Sequence, residues 1–288
     1  MNRIDSLFAR LKAEGRRALM PFITAGDPDL STTAALITEL VARGAHMVEV
    51  GIPYSDPIAD GPVIAASYTR ALKKGVKLAH IMQTIRTLRA ETAAGPLTAA
   101  PLVSMVSYAI VYRNGPERYL RESATAGFDG LIVPDLPVEE SESLCRLATA
   151  LDLRLIQLIT PTTPRDRALR IARATTGFIY YVSVAGITGE RKTMPAELAD
   201  DVAWLRTQTD LPVCIGFGIS TPEHVRALAP VADGLIVGSA LVKRLAEAEA
   251  RTRIEVVHEI GRFLASLAAG MPHPPPHPQP RAEQAQAS

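Results

Sequence analysis

The chain has 288 residues, 47% of them hydrophobic, and its 31 Lys and Arg against 30 Asp and Glu leave a formal net charge of +1. That balance gives no electrostatic case for nucleic acid or for an acidic membrane surface as a partner. The length suits a single α/β barrel and also admits two smaller domains. Cys145 and Cys214 lie far apart in a pattern that fits neither zinc nor a disulfide, so both are expected to be buried, reduced structural thiols. The N-terminal stretch carries Arg3, Asp5 and Arg10 with no apolar signal region, and no apolar run approaches the ~20 residues that span a bilayer. A cytoplasmic location is expected.

In chain order, Ile4, Leu7, Phe8 and Leu11 recur at helical spacing, which predicts an amphipathic leading helix over residues 2–14. Residues 19–24 read as the first strand, broken by Gly26, Asp27 and Pro28, with Ser31 and Thr32 placed to cap a helix to about Arg43. A second strand covers 48–52, and helical patterns follow over 62–73 and 78–90. The third strand is 101–105, with a loop over 107–114 and a helix opening near Pro116. Strand four is 130–133, followed by a helix from about Val138, and strand five is 154–159, followed by a helix after Pro164. Strand six is 178–182, and a polar loop over 184–193 precedes a helix at about 195–207. Strands seven and eight are 213–215 and 234–237, each running into glycine and then a helix, with a last helix at about 254–267.

Strands alternating with helices in this way predict a (β/α)8 barrel, with an open doubly wound sheet as the weaker alternative. The sequence DGLIV occurs at 129–133 and again at 233–237, where a half-barrel repeat would place strands four and eight. The barrel is expected to occupy residues 1–270. Residues 271–288, rich in Pro and polar side chains, read as a disordered tail, and its two histidines have no preorganised metal geometry.

Glu49 is the one carboxylate inside the apolar run Met47, Val48, Val50 and Ile52. A charge in a buried strand must be paired or kept protonated, and a carboxyl tuned by burial is what general acid–base chemistry needs. Asp60 follows on a loop stiffened by Pro53, Pro57 and Pro62, so the two acids can hold different protonation states and divide the work. Phosphate has a candidate place in the loops after strands seven and eight, Gly216-Phe217-Gly218 and Gly238-Ser239, with Gly189 of the strand-six loop closing on the same group. The competing reading is that these glycines only make tight turns.

Residues 48–62, VEVGIPYSDPIADGP, resemble the signature of the tryptophan synthase α subunit. So do PFITAGDP at 21–28, PDLPVEE at 134–140, PTTP at 161–164, AGITG at 185–189, GFGIS at 216–220 and Gly238-Ser239. The resemblance covers roughly residues 2–268. It implies retro-aldol cleavage of indole-3-glycerol phosphate to indole and glyceraldehyde 3-phosphate, with no cofactor in this subunit. Glu49 is then the acid–base residue for indole C3 and the adjacent side-chain hydroxyl, and Asp60 faces the indole N–H. Phe22 and Phe217 would line the indole slot, with Tyr180 and Thr188 near the site and Gly189, Gly218, Gly238 and Ser239 holding phosphate. It further implies an α2β2 complex that passes indole to a pyridoxal-phosphate β subunit, with residues 184–193 as a cover for the loaded site.

Each secondary assignment has a plainer alternative. Phe22 and Tyr180 could be core packing, Thr188 could only orient its loop, Asp56 fits a turn or subunit contact, His46 fits a surface or packing role, and Asp135 fits a buried structural hydrogen bond. The chain departs from the family pattern at Ser107-Tyr108-Ala109, where Tyr-x-Asn is frequent, and at Val184, where Arg is common. Two other function classes remain open. A different phosphate-binding barrel enzyme is one, although an indole-glycerol-phosphate synthase needs a strand lysine and no proposed strand has one. A non-catalytic activating subunit is the other, which loss of either carboxylate would signal.

Overall fold

A computed structural model describes residues 1–57, 60–182, 196–216, 218–247 and 251–272. Eight parallel strands close in chain order into one barrel: β1 (Ala18–Thr24), β2 (Val48–Gly51), β3 (Leu102–Met105), β4 (Gly130–Ile132), β5 (Arg154–Ile159), β6 (Ile179–Val182), β7 (Val213–Gly216) and β8 (Gly234–Val237). Closure leaves no exposed edge, and it gives every strand a helix-facing side and an interior side. Val48, Val50, Leu131, Ile215 and Leu235 point outward into the layer beneath the helices. Ala18, Met20, Met47, Val103, Ile132, Ile156, Tyr180, Cys214 and Ile236 fill the interior.

The leading helix α1 (Arg3–Ala13) closes the bottom of that interior. Its face Ile4, Leu7, Phe8 and Leu11 joins the same cluster, and the Phe8 and Phe178 rings lie 5.6 Å apart. The Asn2 side chain accepts from Ile4 N and donates to Asp129 O, fastening the plug to the barrel. With the lower mouth filled, any site reached from solvent belongs at the carboxyl ends of the strands.

The DGLIV repeat marks a stabilising device at the bottom of the barrel. Asp129 Oδ2 accepts from Leu102 N at 2.9 Å and from Arg89 at 3.0 Å, while Asp233 Oδ2 accepts from Val213 N at 2.9 Å and Asp233 Oδ1 from Arg206 at 3.0 Å. Arg89 lies on the helix before β3 and Arg206 on the helix before β7. Each half-barrel thus uses an aspartate to bind the first amide of the preceding strand and the arginine of the helix that leads into it.

Three local expectations change. The helix α2 (Leu30–Ala42) is capped by Asp29, whose side chain accepts from Thr32 N, so Ser31 and Thr32 lie inside the first turn. Residues 108–114, expected as loop, form the helix Tyr108–Asn114. Ser107 Oγ accepts from Ala109 N, and Asp135 accepts from both Tyr108 N at 2.7 Å and Ser107 Oγ at 2.6 Å. That makes Asp135 a structural acceptor as expected, but an exposed one. Cys214 is a buried thiol, whereas Cys145 is only half-buried, because its helix packs it at the edge of the core. The assigned tail falls on residues that, from 273 onward, lie outside the described ones.

Candidate active site

Glu49 pairs in register with Phe22 on one side and Val103 on the other, and its side chain enters the barrel interior. It is 0% exposed, and neither carboxylate oxygen has a hydrogen-bond partner among the described residues. Burial with nothing to offset it pushes its pKa up to about 8. At neutral pH the group is therefore chiefly a protonated acid, able to give a proton to a substrate and take one back.

Two residues on from Glu49 along β2, glycine makes room for aromatic groups. A Cβ on Gly51 would lie 2.5 Å from Phe22 Cζ and 3.0 Å from Tyr68 Oη, so the aromatic groups occupy the space a side chain would need. Across the barrel, a Cβ on Gly216 would lie 2.5 Å from Tyr180 Cε2. Phe22 and Tyr180 are both buried, as the packing alternative required, yet both lie by Glu49: Phe22 is its partner in register, and the charge of Glu49 acts on the Tyr180 phenol.

Asp60 stands just ahead of helix α3 (Pro62–Lys73), which lies over β1. Two contacts tie α3 down: the Arg70 guanidinium grips Asp27 with bonds of 3.0 and 2.6 Å, and Ser67 Oγ lies 2.6 Å from Thr24 Oγ1. Asp60 is half-buried, and its Oδ2 accepts from Tyr54 Oη at 3.3 Å. Burial raises its pKa to about 6, the Tyr54 bond opposes that rise, and the charge of Asp135 adds to it. The phenols of Tyr68 and Tyr180 are both held far above their ordinary value by burial and by the charges of Asp60 and Glu49. Both acids thus act on both phenols. Burial leaves one acid protonated and the other ionised near pH 7.

The phosphate candidates lie on the same rim. Gly238 follows β8, Ser239 is the exposed first residue of the helix Ser239–Glu247, and Gly218, with φ of 25°, has a backbone that glycine supplies. A Cβ on Gly238 would fall 3.7 Å from Phe22 Cβ, which sets this end of the rim against Phe22, the register partner of Glu49. First-turn amides without intrahelical partners and an exposed hydroxyl are suited to an anion. Thr188, Gly189, Phe217 and Val184, with the expected cover over 184–193, lie outside the described residues.

The remaining candidates have other roles. His46 Nδ1 accepts from Leu19 N at 3.1 Å, and burial followed by the neighbouring Arg16 and Arg10 charges pushes its pKa to about 4, so it is a neutral packing residue. Asp56 is exposed on its loop. Sequence reasoning missed Tyr54 and Tyr68. Tyr68 shares the buried face Ile64, Ser67, Tyr68 and Ala71 of α3, a helical spacing that could have pointed it at the barrel mouth. Among the described residues no cluster of His, Cys, Asp and Glu is arranged to hold a metal, and no helix is long and apolar enough to cross a membrane.

A family model described as tryptophan synthase alpha chain matches residues 8–269. The tryptophan synthase alpha chain of Rhodopirellula baltica is 54% identical over 274 residues, covering 93% of this chain and 98% of the relative. That of Prochlorococcus marinus is 47% identical over 265 residues, covering 92% and 93%. Among solved structures, the alpha subunit from Legionella pneumophila superposes with a TM-score of 0.85 at 35% identity, covering 94% of this chain and 98% of that one. A chain of the tryptophan synthase complex from Pyrococcus furiosus superposes with a TM-score of 0.78 at 34% identity, covering 88% and 98%. The closed barrel and these likenesses together lead to one conclusion: the chain belongs to the tryptophan synthase alpha chain family.

Proposed function

We propose that the chain cleaves indole-3-glycerol phosphate to indole and glyceraldehyde 3-phosphate, with Glu49 moving protons and Asp60 holding charge. The observation that carries this reading is the Glu49 carboxyl, buried without a partner and lifted to about 8. Glu49 gives its proton to indole C3, and positive charge spreads onto the ring nitrogen, where ionised Asp60 stabilises it. Glu49, now a carboxylate, takes the proton from the adjacent side-chain hydroxyl. The C–C bond breaks as that oxygen becomes the aldehyde, and the bonding pair returns to the ring. The proton count closes on Glu49, so one residue completes the cycle. In this reading Phe22 and Phe217 are assigned to the indole slot, Tyr180 and Thr188 to its surroundings, and Gly189, Gly218, Gly238 and Ser239 to the phosphate.

This division predicts a bell-shaped pH dependence. Activity falls below about 6 as Asp60 gains its proton, and above about 8 as Glu49 loses its own. A profile of kcat/KM from pH 5 to 9.5 checks both limbs, and a flat profile through pH 9 contradicts the acid role of Glu49.

The testing experiment is indole release by the purified chain. Asp60→Asn, which keeps shape and removes charge, should lower kcat by on the order of 10²-fold. Near-wild-type release by that variant sinks its assignment. A β-subunit partner in an α2β2 assembly is part of the same reading, supported by the likeness to a chain of the Pyrococcus furiosus complex. Pyridoxal phosphate belongs to that partner, and this subunit is assigned no cofactor. A cytoplasmic location completes the proposal. Adding a β subunit to the assay should raise the rate, and co-elution on gel filtration reads the assembly.

A further inference from the structure

Asp60 carries its charge against opposition: burial disfavours it, and so does the charge of Asp135 on the loop after β4. The other titratable groups around it are Glu49 on β2 and the phenols of Tyr68 on α3 and Tyr180 on β6, which feel the charges of both acids. No cation is among the groups that shift Asp60. The single described side chain that donates to it is Tyr54, on its own loop, through a bond to Oδ2 of 3.3 Å. Oδ1 has no protein partner among the described residues and stays available to a ligand. The ring of Tyr54 packs with Phe22, Ile64, Tyr68 and Val242, lying 5.5 Å from the Tyr68 ring at 47°. The donor is therefore held in place by a packed aromatic wall. Its own ionisation is pushed well above the ordinary phenol range, first by burial, so the hydroxyl keeps its proton wherever Asp60 is charged.

We infer that Tyr54 is a positioning residue for the cleavage reaction: its hydroxyl binds Asp60 Oδ2, keeps that carboxylate charged and leaves Oδ1 to meet the indole N–H. The inference rests on the reading of Asp60 given above and adds a residue to it. A hydrogen bond favours the charged form of a carboxylate, whereas burial and Asp135 both oppose it. Without the hydroxyl only the opposing influences remain, and Asp60 takes up its proton at a higher pH. The phenol contributes nothing to Glu49, whose shift comes from burial. Tyr54 thus acts on one limb of the pH profile and leaves the other alone.

Tyr54→Phe in the full chain isolates the hydroxyl, because the ring and its contact with Tyr68 remain. The acid limb of kcat/KM should move up by about half to one pH unit, the size expected for losing one long hydrogen bond to a charged group. The alkaline limb should stay in place, and the rate at pH 6 should fall several-fold more than the rate at pH 7.5. Carbonyl-13C aspartate NMR, assigned by comparison with Asp60→Asn, should show the Asp60 titration moving by the same amount. Tyr68→Phe is the control, since Tyr68 is not among the groups that shift Asp60, and its acid limb should coincide with wild type. If Tyr54→Phe and wild type share one acid limb and one Asp60 titration while Asp60→Asn is impaired, the inference about Tyr54 fails alone. If Asp60→Asn runs at the wild-type rate, the reading of Asp60 fails first. An equal shift in Tyr68→Phe assigns the effect to aromatic packing and also overturns the role of the hydroxyl.

Discussion

Glu49→Gln is expected to lower kcat by at least ~10²-fold, the range for a general acid–base group, while making the protein more stable at neutral and alkaline pH. The two effects have one cause. In the unfolded chain a glutamate ionises at about its ordinary value of 4.5, whereas in the folded barrel Glu49 holds its proton to about 8. The folded state binds the extra proton across that interval, so stability is fully present below 4.5 and is lost as pH rises toward 8. Each unit of that interval costs about 1.4 kcal/mol, which amounts to on the order of 3 kcal/mol by pH 7. Glutamine occupies the same space without an ionisation, and its unpartnered amide replaces an equally unpartnered carboxylic acid. Urea melts at pH 5, 7 and 8.5 should show the advantage of Glu49→Gln growing with pH alongside the lost indole release. A constant offset across those melts would mean that Glu49 is not carrying a buried ionisation cost.

The same physics explains why Glu49 was legible in the sequence. A charged residue within Met47, Val48, Val50 and Ile52 has no solvent-facing position in a strand buried on both sides, so its oddity is visible without coordinates. The barrel was legible for a related reason, since each strand is an apolar run bounded by Gly, Pro or a helical period. Less could be read where a contact distant in the chain decides the structure. Tyr108–Asn114 is a short helix, and its first amide is satisfied by Asp135 from the loop after β4, which no local window contains. Asp29 caps α2 although Ser31 and Thr32 are good caps themselves, because Asp29 is the residue held extended after Pro28. Tyr54 could be seen as an aromatic in a proline-rich loop, but its bond to Asp60 depends on how α3 is pinned to β1 by Arg70 and Ser67. The DGLIV echo was visible as letters, while the Asp–Arg–amide circuit that gives it meaning required the fold.

Ser239→Asp is expected to raise KM for indole-3-glycerol phosphate by at least ~100-fold, because it sets a carboxylate where the phosphate is proposed to bind. Two unit charges about 4 Å apart repel by about 4 kcal/mol at the effective dielectric of a protein surface, and a phosphate dianion carries two such charges. The substitution is mild for the fold. Ser239 is the exposed first residue of the helix Ser239–Glu247, and an acidic side chain in the first turn of a helix meets its positive end favourably. Thermal melts should therefore match or exceed wild type, so that a weakened KM cannot be assigned to unfolding. Ser239→Ala separates the hydroxyl from the charge: losing one donor should cost only several-fold, since the backbone amides of positions 239 and 240 at the start of that helix remain. Glu49 and Asp60 are untouched by either change, so kcat at saturating substrate should move far less than KM, the pattern of binding energy shared by ground state and transition state. Titration with glycerol 3-phosphate, followed by isothermal calorimetry, gives the same comparison without turnover. If Ser239→Asp binds that probe as tightly as wild type, the phosphate is held elsewhere, and the glycines at 218 and 238 return to being the tight turns that their strand ends require.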